Sequence, residues 1–214
     1  MPIICPAVLA ASEDDYQRQI HRVTPFARRI QIDLSDGVFT PAKTIEPAQA
    51  WWPVGIKADL HLMYLKPQAA LETVLEHKPH LIIIHVEAKG DVRQLAALCR
   101  RKGVNFGMAI LSKTATEVLR DQLDVLDHVL IFSGDLGRFG GKADLTLLDK
   151  AGYLKKVKPE LEIGWDGGIN DQNVAELVTG GIDVLNTGGY IQKAKEPARA
   201  WQMLKRIADE TGTT

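Results

Sequence analysis

Two aspartates mark where this sequence could do chemistry. Asp33 lies in Gln31-Ile32-Asp33-Leu34-Ser35-Asp36-Gly37, and Asp166 lies in Trp165-Asp166-Gly167-Gly168. A carboxylate framed by Ile32 and Leu34 is costly to bury without a task. Asp166, directly before two glycines, is the stronger candidate of the two. His61 sits between Leu60 and Leu62, two residues after Asp59, and His85 and Glu87 share a third short run. Gln31 and Asp33 have the same strand parity, as do Asp59 and His61, so on β-strands each pair points to one side. Each polar residue also has a plain structural reading. Asp36 beside Gly37 suits a turn cap, His61 alone would suit a satisfied core histidine, and Glu87 suits a brace for a neighbour.

Glycines form a second signal. Gly137, Gly140 and Gly141 follow one apolar run, Gly167 and Gly168 the next, and Gly188 and Gly189 the last. Glycine lets backbone N–H groups approach an anion closely. One pair is only a turn, but three groups after three consecutive runs point to a phosphate site.

The elements that must carry these residues alternate. Strands are expected at Ile3–Leu9, Arg29–Leu34, Ile56–Leu62, His80–Val86, Val104–Leu111, His128–Phe132, Leu161–Trp165 and Ile182–Asn186. Leu81-Ile82-Ile83-Ile84 is continuously apolar, as a parallel strand covered on both faces requires. Helices are expected at Pro67–Lys78, at Val92–Lys102 before Gly103, at Thr114–Leu123, at Asn170–Val178 and at Pro197–Glu210. A short one falls near Glu46–Trp51. Thr114 and Glu117 have capping-box spacing. Eight such units without a linker or composition shift predict one (β/α)8 TIM barrel over 1–214. The active site would then lie at the C-terminal strand ends. An open doubly wound sheet would carry its glycines after the first strand, where this chain has Ala10-Ala11-Ser12.

Composition narrows the partners. Twenty-six Lys and Arg against 27 Asp and Glu leave a formal charge of -1, no footprint for nucleic acid or an anionic membrane. No apolar run reaches the roughly 20 residues of a spanning helix. Two cysteines, Cys5 and Cys99, lie in apolar stretches and read as buried free thiols. A soluble protein of the reducing cytoplasm is expected. Trp51-Trp52 and the Trp201 helix face read as packing or an association surface, and Trp51, Trp52 and the Leu136–Lys142 loop are candidate contacts for a homo-oligomer.

Taken in order, Pro6-Ala7-Val8-Leu9, Gln31 to Gly37, Phe39-Thr40-Pro41, His61-Leu62-Met63, His85-Val86-Glu87-Ala88, Phe139-Gly140-Gly141, Asp166-Gly167-Gly168 and Thr187-Gly188-Gly189 resemble the ribulose-phosphate 3-epimerase family. The resemblance implies inversion of a carbon beside a ketone in a pentulose 5-phosphate, through an enediolate. It implies Asp33 and Asp166 as acid–base pair, and a divalent metal, typically zinc, on Asp33, His61 and Asp166. It also implies phosphate on Gly140, Gly141, Gly167, Gly168, Gly188 and Gly189, with Ala7, Met63, His85 and Phe132 around the substrate.

The departures gather at the site. Where the family has a second metal-binding histidine this chain has Gln31, a neutral and weaker donor. Its amide oxygen could complete a weakened metal site, the favoured outcome, or its NH2 group could bond a carboxylate and take the metal's place. Ala7 stands for a substrate-contacting serine, Ala42 for an asparagine, and Ser35 and Phe132 for methionines. The loop Asp135–Gly141 is longer by one residue and carries Arg138, and Gly188-Gly189 stands for Gly-Ser. This pattern suits an epimerase or isomerase with an altered substrate. The alternatives are a non-catalytic phosphate-ligand-binding barrel and a related lyase or decarboxylase, although the lysine of the decarboxylases' Asp-rich strand motif is missing.

Overall fold

Strand β2 (Arg29–Ser35) is buried along its whole length although every second residue is polar. Ile30, Ile32 and Leu34 join the apolar core, while Arg29, Gln31, Asp33 and Ser35 take the other face. A strand covered on both faces belongs to a sheet wrapped by helices. The computed structural model, which describes residues 1–212, has that form. Its eight parallel strands close into a barrel in chain order.

The ring begins with β1 (Ile3–Val8), α1 (Glu13–Val23) and β2, then β3 (Lys57–Met63), α2 (Gln68–Leu75), β4 (Leu81–His85) and α3 (Val92–Arg101). It continues through β5 (Asn105–Ile110), β6 (His128–Phe132), α4 (Leu148–Val157), β7 (Glu162–Asp166), α5 (Val174–Thr179), β8 (Val184–Thr187), α6 (Gly189–Gln192) and α7 (Pro197–Gly212). Closure rests on β1, which pairs with β2 on one side and β8 on the other. Helix α7 covers that seam. Its Trp201 Nε1 donates to Ile4 O at 3.1 Å, and the Trp201 ring lies 5.7 Å from that of Phe26.

The N-terminal end of the barrel is floored by charge. Arg29 Nε donates to Asp59 Oδ2 at 2.6 Å, and its two terminal nitrogens grip both oxygens of Glu162 at 2.7 Å. His128 Nδ1 lies 3.1 Å from the same carboxylate. Burial raises the Glu162 pKa, but the fork of Arg29 and the contact with His128 outweigh it and hold this carboxyl well below its usual range.

The helices differ from expectation in informative places. Helix α1 had no counterpart among them, although its local chemistry is strong. Ser12 caps it through a bond from Asp15 N at 3.3 Å, with acidic residues in the first turn and His21 and Arg22 in the last. Helix α4 was not anticipated either. The segment expected as a helix at Thr114–Leu123 is a 3₁₀ helix at Thr116–Val125, without a side-chain cap. Thr114 donates to Glu87 instead of capping. Helix α5 starts at Val174 because Asn170 and Asn173 form a turn of their own. Asn173 Oδ1 accepts from Asn170 N, and both side-chain amides donate to Gly168 O. The short helix near Glu46 is a 3₁₀ turn at Pro47–Gln49.

Candidate active site

Strand pairing fixes the height of each inward side chain. Asp33 is level with His61, Gln31 with Asp59, Phe132 with Asp166, and Asp166 with Asn186. The polar face of β2 therefore runs from the charged floor at Arg29 up to Asp33 at the C-terminal mouth. There Asp33, His61 and Asp166 bring one ligand atom each within 4.8 Å of one another.

Gln31 ties the two carboxylates together. Its Nε2 donates to Asp33 Oδ1 at 2.8 Å and to Asp166 Oδ2 at 2.5 Å. Of the two arrangements open to this amide, the bridging donor is the one formed, and Oε1 is buried without a partner. Burial and then the charge of Asp33 push the Asp166 carboxyl well above the ordinary aspartate range.

Behind this pair runs a line of rings. His61 Nδ1 lies 2.9 Å from Asp33 Oδ1, and His61 Nε2 lies 2.8 Å from His85 Nε2. His85 Nδ1 faces Glu87 Oε2 at 3.5 Å without a hydrogen bond. Burial pushes His85 down to about 4, so it is neutral near pH 7. The tautomers follow from the acceptors. Asp33 requires a proton on His61 Nδ1, which leaves His61 Nε2 bare to accept from His85 Nε2–H. His85 Nδ1 is then a lone pair opposite a carboxylate, and that explains the missing bond.

A divalent cation on His61 Nδ1 would reverse the line. His61 Nε2–H would donate to His85, and His85 Nδ1–H to Glu87, so that the orphaned nitrogen gains a partner. Two carboxylates, an imidazole and an amide that can turn its oxygen inward make a donor set that fits such an ion.

Above the carboxylates opens a cavity of about 280 Å³. Asp33 and Asp166 line its base, with Ala7, Met63 and Phe132 beside them. Gly140, Gly141, Gly167, Gly168, Gly188 and Gly189 all line it too, so the three glycine groups converge on one space. Gly167 has φ +117, and a Cβ there would fall 2.2 Å from Gly134 N, so the turn after β7 must be bare for the β6 loop to pack on it. The ring of Phe139 takes the room that a side chain at Gly188 would need, its Cδ1 lying 2.5 Å from that Cβ position.

Some expected residues stand elsewhere. His85 does not line the cavity but packs behind His61, its ring 4.7 Å from Phe39. Ser35 turns away to Ala42 O, 2.7 Å from its hydroxyl. Asp36 takes its turn-cap reading, accepting from Val38 N, Phe39 N and Leu65 N. Four lining residues with polar side chains were not singled out from sequence: Asn186, Asn170, Tyr190 and Lys193. Strand parity could have found Asn186, which shares the inward side of β8 with Val184.

Comparison with known proteins accords with this geometry. Thirty curated proteins match this chain significantly. The ribulose-phosphate 3-epimerase of Helicobacter pylori (strain ATCC 700392 / 26695) is 28% identical over 212 residues, covering 95% of this chain and 97% of its own. That of Mycobacterium tuberculosis (strain CDC 1551 / Oshkosh) is 29% identical, covering 97% and 93%. Among solved structures, 3-hexulose-6-phosphate synthase from Salmonella typhimurium superposes with a TM-score of 0.74 at 14% identity, covering 98% of this chain and 99% of its own. KGPDC from Streptococcus mutans gives 0.75 at 11%, covering 99% of each chain. These two share the fold. The Ribulose-phosphate 3 epimerase family matches residues 3–192, and the chain belongs to that family.

Proposed function

We propose that the protein is an isomerase that epimerises a ketose phosphate at the carbon beside the ketone. The observation that carries this reading is the pair Asp33 and Asp166, which reach one cavity from opposite parts of the barrel and are held in register by a single amide. Two carboxyls so close do not both ionise readily, so one carries a proton. The ionised one removes the proton from the carbon next to the carbonyl, and the electron pair moves to the carbonyl oxygen as the enediolate forms. The protonated one delivers its proton to the opposite face of the same carbon. The two groups end with their protonation states exchanged, and solvent resets them.

The phosphate rests on the backbone of the three glycine groups, with Arg138 and Lys193 at the rim of the same cavity. Asp33, His61 and Asp166 would hold a divalent cation, zinc by family habit, with Gln31 as a weaker fourth donor. When bound, it supplies Lewis-acid stabilisation of negative charge on substrate oxygens. His85 and Glu87 orient His61, and Phe132 and Met63 keep water from the reacting carbon. Two free, buried cysteines support a cytoplasmic setting, and no described helix is long and apolar enough to cross a membrane.

The test is deuterium incorporation from D₂O into a panel of ketose phosphates. Exchange beside the ketone with conserved carbon count supports the reading. Loss of carbon marks a lyase or decarboxylase instead, and binding without exchange marks a ligand-holding barrel.

A further inference from the structure

We infer that Asn186 reads the substrate hydroxyl that lies between the reacting carbon and the phosphate, and so helps set which ketose phosphate the site accepts. This rests on the phosphosugar reading above. Asn186 is 2% exposed, yet it lines the cavity. Its Oδ1 is shut off from water without a partner, and its carboxamide makes no hydrogen bond among the described residues. Exchanging its oxygen and nitrogen would not help, because the nitrogen would then be the lone group. Buried amides are ordinarily satisfied, and one left wholly unpaired in a cavity wall points to an absent ligand.

The position says which part of a ligand. Strand pairing sets Asn186 beside Asp166, at the level of the acid–base pair. Two residues later the same chain reaches Gly188-Gly189, the turn assigned to phosphate. A substrate stretched from the carboxyls to that turn passes Asn186 with its middle. An amide offers one donor and one acceptor, and a hydroxyl complements both. The terminal torsion of asparagine is broad, so either atom can turn to the cavity. An apolar residue would fill this inward place on β8 without an orphaned atom. The neighbouring Ala7 and Phe132, which also line the cavity, offer no side-chain hydrogen bond to a sugar. Asn186 thus supplies a polar contact that they lack.

The experiment is calorimetric titration of the full chain with D-ribulose 5-phosphate and with its 4-deoxy counterpart. The parent should bind the hydroxylated sugar at least about tenfold more tightly, because a site built for a hydroxyl rejects an analogue lacking it. Asn186→Leu, close in volume, should bind the two alike, and Asn186→Ala serves the same purpose should the leucine variant not fold. An undiminished preference in the variants, or no preference in the parent, overturns the inference. Deuterium exchange at carbon 3 of ribulose 5-phosphate, run in parallel, reports on the epimerase reading separately. Exchange in the parent alongside an undiminished preference in the variants defeats the role of Asn186 alone. A preference lost on substitution upholds that role even where exchange is absent.

Discussion

Gln31 and Asp166 are 135 positions apart in the chain, and the amide nitrogen of one lies 2.5 Å from a carboxylate oxygen of the other. The same nitrogen serves Asp33 at 2.8 Å. A neutral donor thus does at short range what a cation does more strongly, which is to hold two carboxyls together. An imidazole here would bring a true metal ligand to that place. Gln31→His should raise Zn²⁺ affinity by roughly tenfold or more, the scale of changes around metal sites. Competitive zinc titration of both proteins at one pH measures it. Equal affinities would show that residue 31 has no part in holding the ion.

Asp166→Asn keeps the shape of the side chain and still pairs with an amide neighbour. Folding should be nearly unaffected, while proton exchange on the active ketose phosphate falls on the order of 10²-fold or more. Exchange rates in D₂O alongside thermal melts separate the two effects. Activity within threefold of the parent would move the proton-transfer role to another group.

Glu87 does not line the cavity, yet it is the acceptor that the ion-bound tautomer of His85 would need. With Glu87→Ala the His85 Nδ1–H of that arrangement would have no acceptor, and presenting a bare Nδ1 at His61 to an ion becomes less favourable. Zinc affinity should fall by roughly tenfold, at the lower end for partners behind a ligand. An unchanged affinity would detach the His85–Glu87 pair from ion binding and leave it a packing element.

The charged floor gives a pH signature. Glu162 has a depressed native pKa, so its contribution is fully present above the unfolded glutamate value of about 4.3 and is lost as pH falls through the lower native value. Glu162→Gln leaves Arg29 and His128 without their shared anion and should cost about 3 kcal/mol near neutral pH. Urea melts from pH 3 to 7 should show a constant gap between parent and variant above about pH 5, narrowing as pH drops below 4. A gap that holds steady into acid would mean the pairing contributes nothing beyond packing.

Much of this was open to reading from the chain. Alternation in β2 exposed its polar inner face, the run Leu81–Ile84 announced a doubly covered strand, and glycine groups after β6, β7 and β8 foretold a shared cavity. Thr114 was misread because capping-box spacing is a local pattern, and its hydroxyl serves Glu87, 27 residues earlier. The Gln31 amide was expected to turn its oxygen to an ion, and its nitrogen bonds both carboxylates instead, for a related reason: its direction depends on Asp166, brought near only by closure of the ring. Asn186 escaped notice inside Val-Leu-Asn-Thr, where apolar neighbours disguise an inward polar residue.

The ring of Phe139 occupies the room a side chain at Gly188 would need. Two segments about fifty residues apart are therefore moulded to each other, and neither can drift in sequence alone. A methyl group added at 188 would wedge the Arg138-bearing loop outward and widen the mouth, while a smaller residue at 139 would free 188 to vary. Any ancestral or laboratory route that reshapes the Gly188-Gly189 turn must first, or simultaneously, release the aromatic ring that is cast against it.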